Sequence, residues 1–192
     1  MNSSNPIIDF ISTHTAISDV EREQIASIIH FSSYKKNELL LKQGEVPRSI
    51  AFITKGALRI YYTDDTGQEQ SINFIFENQP FVPFDNFANQ TPSAIAVMAL
   101  EPTEIIWATH TGFFAFLHRF PKYEPALRNL LSQHIVNENE HFKLLRINPA
   151  RERYEALRKL RPELLTRVPL KYIASFLGLT LETLSRVRAG KL

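Results

Sequence analysis

The sequence of 192 residues contains no cysteine and only six glycines. Without cysteine, the chain cannot form disulfide bonds, cysteine-ligated zinc fingers or cysteine-ligated iron–sulfur clusters. With so little glycine, we find no glycine-rich loop of the kind that cradles a phosphate, and no nucleophile motif is present. These absences remove several common classes of enzyme and metalloprotein.

Long apolar runs are also missing. No segment approaches the roughly 18 consecutive apolar residues of a transmembrane helix. The first twelve residues, MNSSNPIIDFIS, lack the basic segment and the apolar run of a signal peptide. The sequence therefore predicts a soluble cytoplasmic protein with no membrane partner.

The net charge of +2 conceals an uneven distribution. Residues 146–192 contain 11 Lys and Arg against 4 Asp and Glu, a net charge of +7, whereas residues 1–145 contain 11 against 16, a net charge of −5. A basic C-terminal segment on an acidic body is suited to binding nucleic acid, because cations placed against phosphates release condensed counterions. The alternative is a solvated basic face that has no partner.

The apolar spacing near the C-terminus predicts a helix-turn-helix. Ile173, Ala174 and Leu177 fall on one face of a first helix, and Gly178 follows where the chain must turn. Leu184 and Val187 recur three residues apart and predict a buried stripe on a second helix. The alternative is an ordinary αα-hairpin that ends a helical subdomain.

The second helix of this pair carries polar side chains off its apolar stripe. Thr180 is suited to cap the helix, because its hydroxyl can accept from the free backbone N–H groups of the first turn. Such a helix can enter a major groove and contact base edges. A different interpretation is that the chain senses a small ligand and that its terminal helices bind a protein. The predicted DNA-binding residues are Thr180, Glu182, Thr183, Ser185, Arg186 and Arg188.

In the part of the chain before residue 109, the spacing of the apolar residues changes once, from helical to strand-like. Residues 1–33 have helical spacing, and Ser18 with Glu21 has the form of a capping box. Residues 34–108 contain short segments rich in β-branched and aromatic residues, separated by turn signals such as DDTG at 64–67. The spacing predicts an α+β protein with an antiparallel barrel or jelly-roll-like sheet. The predicted strands are 39–41, 50–53, 57–62, 71–76, 94–100 and 104–107.

Residues 109–147 return to helical spacing. A short helix is predicted before Pro121, followed by a long helix at about 122–147 whose apolar stripe includes Leu127, Leu131, Ile135 and Phe142. The stripe either packs on the chain's own sheet or forms the seam of a homodimer. We favour the dimer, because a helix-turn-helix usually binds a two-fold site.

Asn148 marks the predicted domain boundary, where the net charge also changes sign. Asn148 is expected to be the N-cap of the next helix, with Pro149 at its first position. The predicted domains are 1–147, with the sheet and the long helix, and 148–192, with the helix-turn-helix.

Two sets of motifs resemble the CRP/FNR family of transcriptional regulators. Residues 40–45 (LLKQGE) and 53–59 (ITKGALR) are similar to the early strands of its cyclic-nucleotide-binding roll. The more specific match lies in Ile173-Ala174, Leu177-Gly178 and residues 182–186 (ETLSR). The resemblance implies a DNA-binding dimer in which Glu182 and Arg186 contact bases and Thr183 and Ser185 lie near phosphate or base. It also makes RNA polymerase a candidate partner.

The chain departs from the family pattern in two places near its C-terminus. The position before Glu182, often arginine in the family, is Leu181, so a different sequence preference is expected. The sequence ends at Leu192, directly after the predicted recognition helix, so no β-hairpin wing is expected.

The region that would hold a cyclic nucleotide differs from the family pattern. Residues 79–94 contain no Gly-Glu pair, and no Arg or Lys occurs between Arg59 and Arg119. A buried cyclic phosphate would lack its charge partner, so cAMP is not expected to bind in the usual way. The aromatic residues of this region either line a more apolar pocket or fill it as core. The candidate pocket residues are Phe76, Phe81, Phe84, Phe87 and Ser93.

A cupin-type metalloenzyme is the remaining interpretation of the barrel. Its metal site would require clustered histidines on adjacent strands. None of the six histidines lies in a predicted strand, so the sequence predicts neither a metal site nor an enzyme. The sequence does not identify an effector or cofactor, the operator, or the direction of regulation.

Overall fold

The structure is a computed structural model that describes residues 6–13 and 15–191. The outermost ends of the two predicted domains, residues 1–5 and Leu192, and one of the histidines, His14, lie outside the described residues. The helices are α1 (Pro6–Ser12), α2 (Asp19–Ile28), α3 (Phe84–Asn89), α4 (His110–Arg119), α5 (Glu124–Leu145), α6 (Ala150–Leu160), α7 (Leu164–Arg167), α8 (Leu170–Phe176) and α9 (Leu181–Arg188). The strands are β1 (Ile29–Tyr34), β2 (Leu39–Leu41), β3 (Ser49–Lys55), β4 (Leu58–Thr63), β5 (Glu69–Ile75), β6 (Pro80–Phe81), β7 (Ala96–Ala99) and β8 (Thr103–Thr109).

The capping box at the start of α2 is confirmed. The backbone N of Glu21 donates to Ser18 Oγ, and the Glu21 carboxylate accepts from the Ser18 backbone N at 2.8 Å. The helical assignment of residues 1–33 is wrong at its end, because α2 stops at Ile28 and Ile29–Tyr34 is strand β1. Strand β1 pairs with β8 along its whole length, from Ile29 opposite Ala108 to Tyr34 opposite Thr103. This long-range pairing prevails over the helical spacing of the isoleucines that precede it.

The strands form a jelly roll of two four-stranded sheets, with orders β1-β8-β3-β6 and β2-β7-β4-β5. This arrangement confirms the predicted antiparallel, jelly-roll-like sheet. Strands β1 and β6 are not among the predicted strands. Strand β6 is only two residues long and begins with Pro80, which an edge strand tolerates because it needs no inward N–H there.

The core of the roll is built from small and branched side chains of both sheets. It contains Leu41, Ala51, Ile53, Leu58, Val97, Ala99 and Ile105, each 9% exposed or less. Gly56, at the β3–β4 turn, has φ of +100°, and a Cβ there would lie 2.4 Å from Thr103 Oγ1. The same Cβ would lie 2.7 Å from Thr103 Cα and 2.8 Å from the Pro102 carbonyl oxygen, so only glycine fits this turn without displacing backbone atoms.

The helices after the roll follow the predicted order. Helix α4 ends at Arg119, before Pro121, and α5 covers most of the predicted 122–147. The prediction that Asn148 is the N-cap of α6 is wrong. Pro149 occupies the N-cap position, and no side chain makes a capping hydrogen bond there. Asn148 Oδ1 instead accepts from Arg153 Nη2 at 3.2 Å.

The chain divides into two compact units. Unit 1 comprises Met1–Ile60 and Phe74–Leu130, and unit 2 comprises Tyr61–Asn73 and Leu131–Leu192. The division therefore falls inside α5 rather than at Asn148, and the outer half of the β4–β5 hairpin joins the C-terminal helices.

Candidate nucleic-acid interface

Helices α8 and α9 form the predicted helix-turn-helix in unit 2. Pro169 precedes α8, and Gly178 lies in the turn with φ of +62°, a left-handed angle that suits glycine. The apolar residues that predicted the pair, Ile173, Ala174, Leu177, Leu184 and Val187, are all buried. The local spacing of the sequence thus accounts for the position of both helices.

Thr180 caps α9 as the sequence predicts. Its Oγ1 accepts from the backbone N of Thr183 at 3.1 Å and lies 2.8 Å from Thr183 Oγ1. The cap satisfies one backbone donor of the first turn, and the remaining free N–H groups leave that end of the helix electropositive. Thr180 therefore has a structural role that a DNA contact would have to share.

The polar face of α9 is accessible. Glu182, Ser185, Arg186 and Arg188 are exposed, and Thr183 is half-buried. No ion pair joins Glu182, Arg186 or Arg188 to another residue in the described part of the chain. The face thus presents a carboxylate, a hydroxyl and two guanidinium groups that are free to meet a partner. Leu181, at the start of the helix, adds an apolar side chain that is 49% exposed.

Arg153 belongs to the basic segment but serves the packing of the unit. Its Nη1 donates to the carbonyl of Leu177 at 2.6 Å, and its Nε donates to the carbonyl of Ile147 at 3.0 Å. It therefore ties the end of α8 to the α5–α6 connection. This role is not evident from the sequence, because spacing alone does not distinguish a cation that binds carbonyls from one that faces solvent.

Ser175 joins α8 to the outer part of the β4–β5 hairpin, within unit 2. Its hydroxyl donates to the carbonyl of Glu69 at 3.1 Å and accepts from the backbone N of Ser71 at 2.8 Å. Arg161 Nη1 adds a hydrogen bond to Asn73 Oδ1 at 2.9 Å. A side chain thereby satisfies polar groups on the edge strand β5, and no local sequence signal could have revealed it.

His141 connects the second half of α5 to α8. Its ring stacks on Phe176 with centroids 3.9 Å apart, and its Nε2 lies 2.9 Å from the Phe176 carbonyl oxygen. Since a carbonyl only accepts, Nε2 carries the proton in this contact. Burial lowers the pKa of His141 below its usual range, which favours the neutral ring.

The predicted dimer residues occupy different environments along α5. Leu127 is half-buried and lines a cavity of unit 1, and Leu131 is also half-buried. By contrast, Ile135 is 60% and Phe142 is 55% exposed, and Val136 between them is 57% exposed. The apolar stripe is therefore half-buried at its start, at Leu127 and Leu131, and is exposed to solvent further along α5.

The candidate pocket residues of the roll are not brought together in one cavity. Phe87 is fully buried among Phe84, Phe113 and Phe114, and Phe76 is buried. Ser93 is buried, and its Oγ is held by the backbone of Ile95. Among the five candidates, Phe81 lines a separate cavity of the roll.

Unit 1 contains a cavity of about 450 Å³ in the roll, a size that suits a small molecule. Its wall includes Leu40, Val46, Phe81 and Ile105, together with the polar side chains Tyr34, Glu45, Arg48 and Ser49. Arg48 was not predicted, because it lies outside residues 79–94, the segment in which the resemblance leads one to expect the arginine. The structure thus brings an exposed cation to this cavity from the loop after β2.

Among the described residues, no group of three or more His, Cys, Asp or Glu side chains is arranged to hold a metal ion. Within residues 6–13 and 15–191, no helix has the length and apolarity that crossing a membrane requires.

Comparison with known proteins agrees with this architecture. Residues 31–120 match the cyclic nucleotide-binding domain family. The chain is 27% identical over 183 residues to the anaerobic regulatory protein of Pasteurella multocida, covering 89% of this chain and 66% of that protein. It is also 27% identical over 158 residues to the cyclic AMP receptor protein of Thermus thermophilus, covering 80% and 73%. The chain thus spans about two thirds to three quarters of the lengths of these relatives.

A solved structure, FixK2 from Bradyrhizobium japonicum, has the same fold. The two align with a TM-score of 0.72 at 20% identity, over 85% of this chain and 84% of FixK2. This chain combines a β-roll, a long helix and a terminal helix-turn-helix. Its roll matches the cyclic nucleotide-binding domain family, and the chain as a whole is similar to transcriptional regulators of the CRP/FNR type.

Proposed function

We propose that this chain is a DNA-binding transcriptional regulator of the CRP/FNR type, acting in the cytoplasm. The observation that carries the proposal is the exposed polar face of α9, with Glu182, Arg186 and Arg188 outside and Leu184 and Val187 inside. An arginine can donate two hydrogen bonds to guanine, and a glutamate can accept from cytosine. The net charge of +7 on residues 146–192 supports contact with phosphates.

Duplex binding at a series of salt concentrations tests this proposal. Fluorescence anisotropy with labelled genomic fragments should give an affinity that falls steeply and linearly on a log–log plot against salt. A protein target for the terminal helices is the competing candidate. Failure to bind any duplex at low ionic strength, with or without cell extract to supply an effector, would reject the DNA-binding function.

We also propose a homodimer joined along the exposed part of α5. Ile135, Val136 and Phe142 would bury against a second copy, and a paired recognition helix would suit a two-fold site. Ile135→Asp should convert the dimer to a monomer in sedimentation and weaken duplex binding. Gln133→Asp, an exposed position on a different face of the same helix, is the matched control. RNA polymerase is the proposed protein partner on DNA.

The roll is proposed to bind a small effector in the cavity of about 450 Å³. Such a ligand can change DNA binding only if it binds two arrangements of the dimer with different affinity. One relative is named as a cyclic AMP receptor protein. We do not propose that this chain binds cyclic AMP in the usual way, since residues 79–94 have no basic side chain. We propose no catalytic activity.

A further inference from the structure

The larger cavity of unit 1 has a volume of about 450 Å³, whereas the cavity that Leu127 lines has about 120 Å³. Its charged lining residues are Glu45 and Arg48, which lie exposed in the loop between β2 and β3. By contrast, Ala51 and Ile105 in its wall are buried. The other apolar lining residues are Leu40, Leu41, Val46, Pro47, Phe81 and Pro83. The cavity therefore joins an apolar interior to a charged rim.

The backbone of this loop is held by distant parts of the chain. Three of its carbonyl groups accept hydrogen bonds: Glu45 from the backbone N of Ser93 at 2.9 Å, Pro47 from Gln90 Nε2 at 3.0 Å, and Arg48 from the backbone N of His110 at 2.8 Å. A loop that is already ordered loses little conformational freedom when a ligand binds. The fold thus fixes the backbone position from which the Arg48 side chain lines the cavity.

The two charges on the rim differ in what they already bind. Glu45 Oε2 accepts from the backbone N of Lys42 at 3.0 Å, and Glu45 Oε1 lies 3.9 Å from Lys42 Nζ. Within residues 6–13 and 15–191, no ion pair joins the guanidinium of Arg48 to a carboxylate. Two cations against one anion leave the loop with a net charge of +1, and Arg48 is the cation that has no counter-charge.

We propose that this cavity binds a small organic monocarboxylate with an apolar body. The proposal rests on the proposed effector role of the roll and adds the chemical class of the effector. The guanidinium of Arg48 would donate two parallel hydrogen bonds to the planar carboxylate. Val46, Phe81 and Ile105 would surround the apolar body, whose burial contributes the rest of the affinity.

The single guanidinium sets the charge of the ligand. One negative charge balances the +1 of the rim, whereas a phosphate monoester carries almost two, and the excess would lie unpaired beside Glu45. A neutral ligand would leave Arg48 with water as its partner. The arrangement therefore favours a carboxylate over a phosphate monoester and over a neutral molecule.

The probes 4-phenylbutanoate and 4-phenylbutanamide form a matched pair, because their shapes are nearly the same and only the first is charged. Titration of the full chain, followed by ligand-observed NMR, should show saturable binding of the carboxylate and about tenfold weaker binding of the amide. Arg48→Gln should weaken the carboxylate by about tenfold and leave the amide unchanged, and Arg48→Lys should restore part of the loss. Arg128→Gln removes an exposed cation of unit 1 that does not line the cavity, and is the control.

Three results of this titration would overturn the proposal. The first is the absence of saturable binding of 4-phenylbutanoate to wild type, and the second is equal affinity of wild type for the two probes. The third is an Arg48→Gln variant that binds the carboxylate as tightly as wild type does.

Filling the cavity tests its location. Val46→Phe and Leu40→Phe each enlarge a half-buried lining side chain and should weaken both probes by about tenfold, because the added ring occupies their space. Circular dichroism identifies the variants that fold, and undiminished binding to a folded one would place the ligand elsewhere and reject the site.

Duplex binding, measured separately on the same preparations, distinguishes this inference from the proposed function. A chain that binds DNA but not the carboxylate contradicts the ligand class alone. A chain that binds the carboxylate through Arg48 but binds no duplex supports the site and contradicts the DNA-binding function.

Discussion

The helix-turn-helix at residues 170–188 and the segment at residues 79–94 of the roll differ in their content of basic residues. In the first, Arg186 and Arg188 lie exposed in the last turn of α9. In the second, there is no basic residue, and Phe84 and Phe87 pack into an aromatic cluster. One chain thus keeps a surface suited to a polyanion while its roll lacks the family's usual partner for an anionic ligand. Binding to DNA and sensing of a ligand therefore need not resemble the family to the same degree.

The largest expected effect comes from the packing beneath the polar face of α9. Leu184 is fully buried, so Leu184→Ala should lower the free energy of unfolding by about 2–5 kcal/mol through lost contacts and a cavity. Urea unfolding followed by circular dichroism measures the change. Leu181→Ala removes the same atoms from a side chain that is 49% exposed, and should change stability by less than about 0.5 kcal/mol. Equal losses would show that the two faces of α9 are assigned wrongly.

A smaller effect is expected on the polar face itself. Arg186→Ala should weaken binding to a selected duplex by about 1–3 kcal/mol and relax specificity at one base pair. Lys36→Ala removes an exposed cation of unit 1 and should leave binding unchanged. An unaltered footprint and affinity with Arg186→Ala would remove this residue from base recognition.

The cap of α9 should contribute less again. Thr180→Ala removes the acceptor of the Thr183 backbone N–H and should cost about 1 kcal/mol of stability. Thermal unfolding measures this loss. Ser185→Ala is the control, because its exposed side chain caps nothing and its removal should be close to neutral. A loss as large for Ser185→Ala would contradict the capping role.

No effect at all is expected for cAMP in the roll. Calorimetry should detect no micromolar binding to wild type, because residues 79–94 offer no cation to the cyclic phosphate. The same titration with Arg48→Ala tests the other possible source of charge, since Arg48 is a cation that lines the larger cavity. Micromolar binding that disappears in Arg48→Ala would show that the chain supplies the charge from a different loop.

The same contrast between local and long-range information explains what the sequence could predict. The helix-turn-helix follows from neighbouring residues, with Gly178 at the turn and Thr180 as the cap. Strand β1 was missed because Ile28 and Ile29 continue the helical spacing, and only pairing with β8 reveals the strand. Ser175 could not be found at all, because its partners are more than a hundred residues away.

The pocket residues could be predicted only in part for a related reason. Their aromatic character was evident, but whether a phenylalanine lines a cavity or fills the core depends on its neighbours in space. Phe81 lines the larger cavity, and Phe87 is surrounded by other rings.

The measurement that tests the central claim most directly is selection of genomic DNA by the purified chain. Fragments recovered at low ionic strength and sequenced should share two half-sites about one helical turn apart, and Arg186→Ala should recover them poorly. That result would place α9 of two chains against one duplex. Recovery of no fragment above background, or recovery of the same fragments by wild type and Arg186→Ala, would contradict the account.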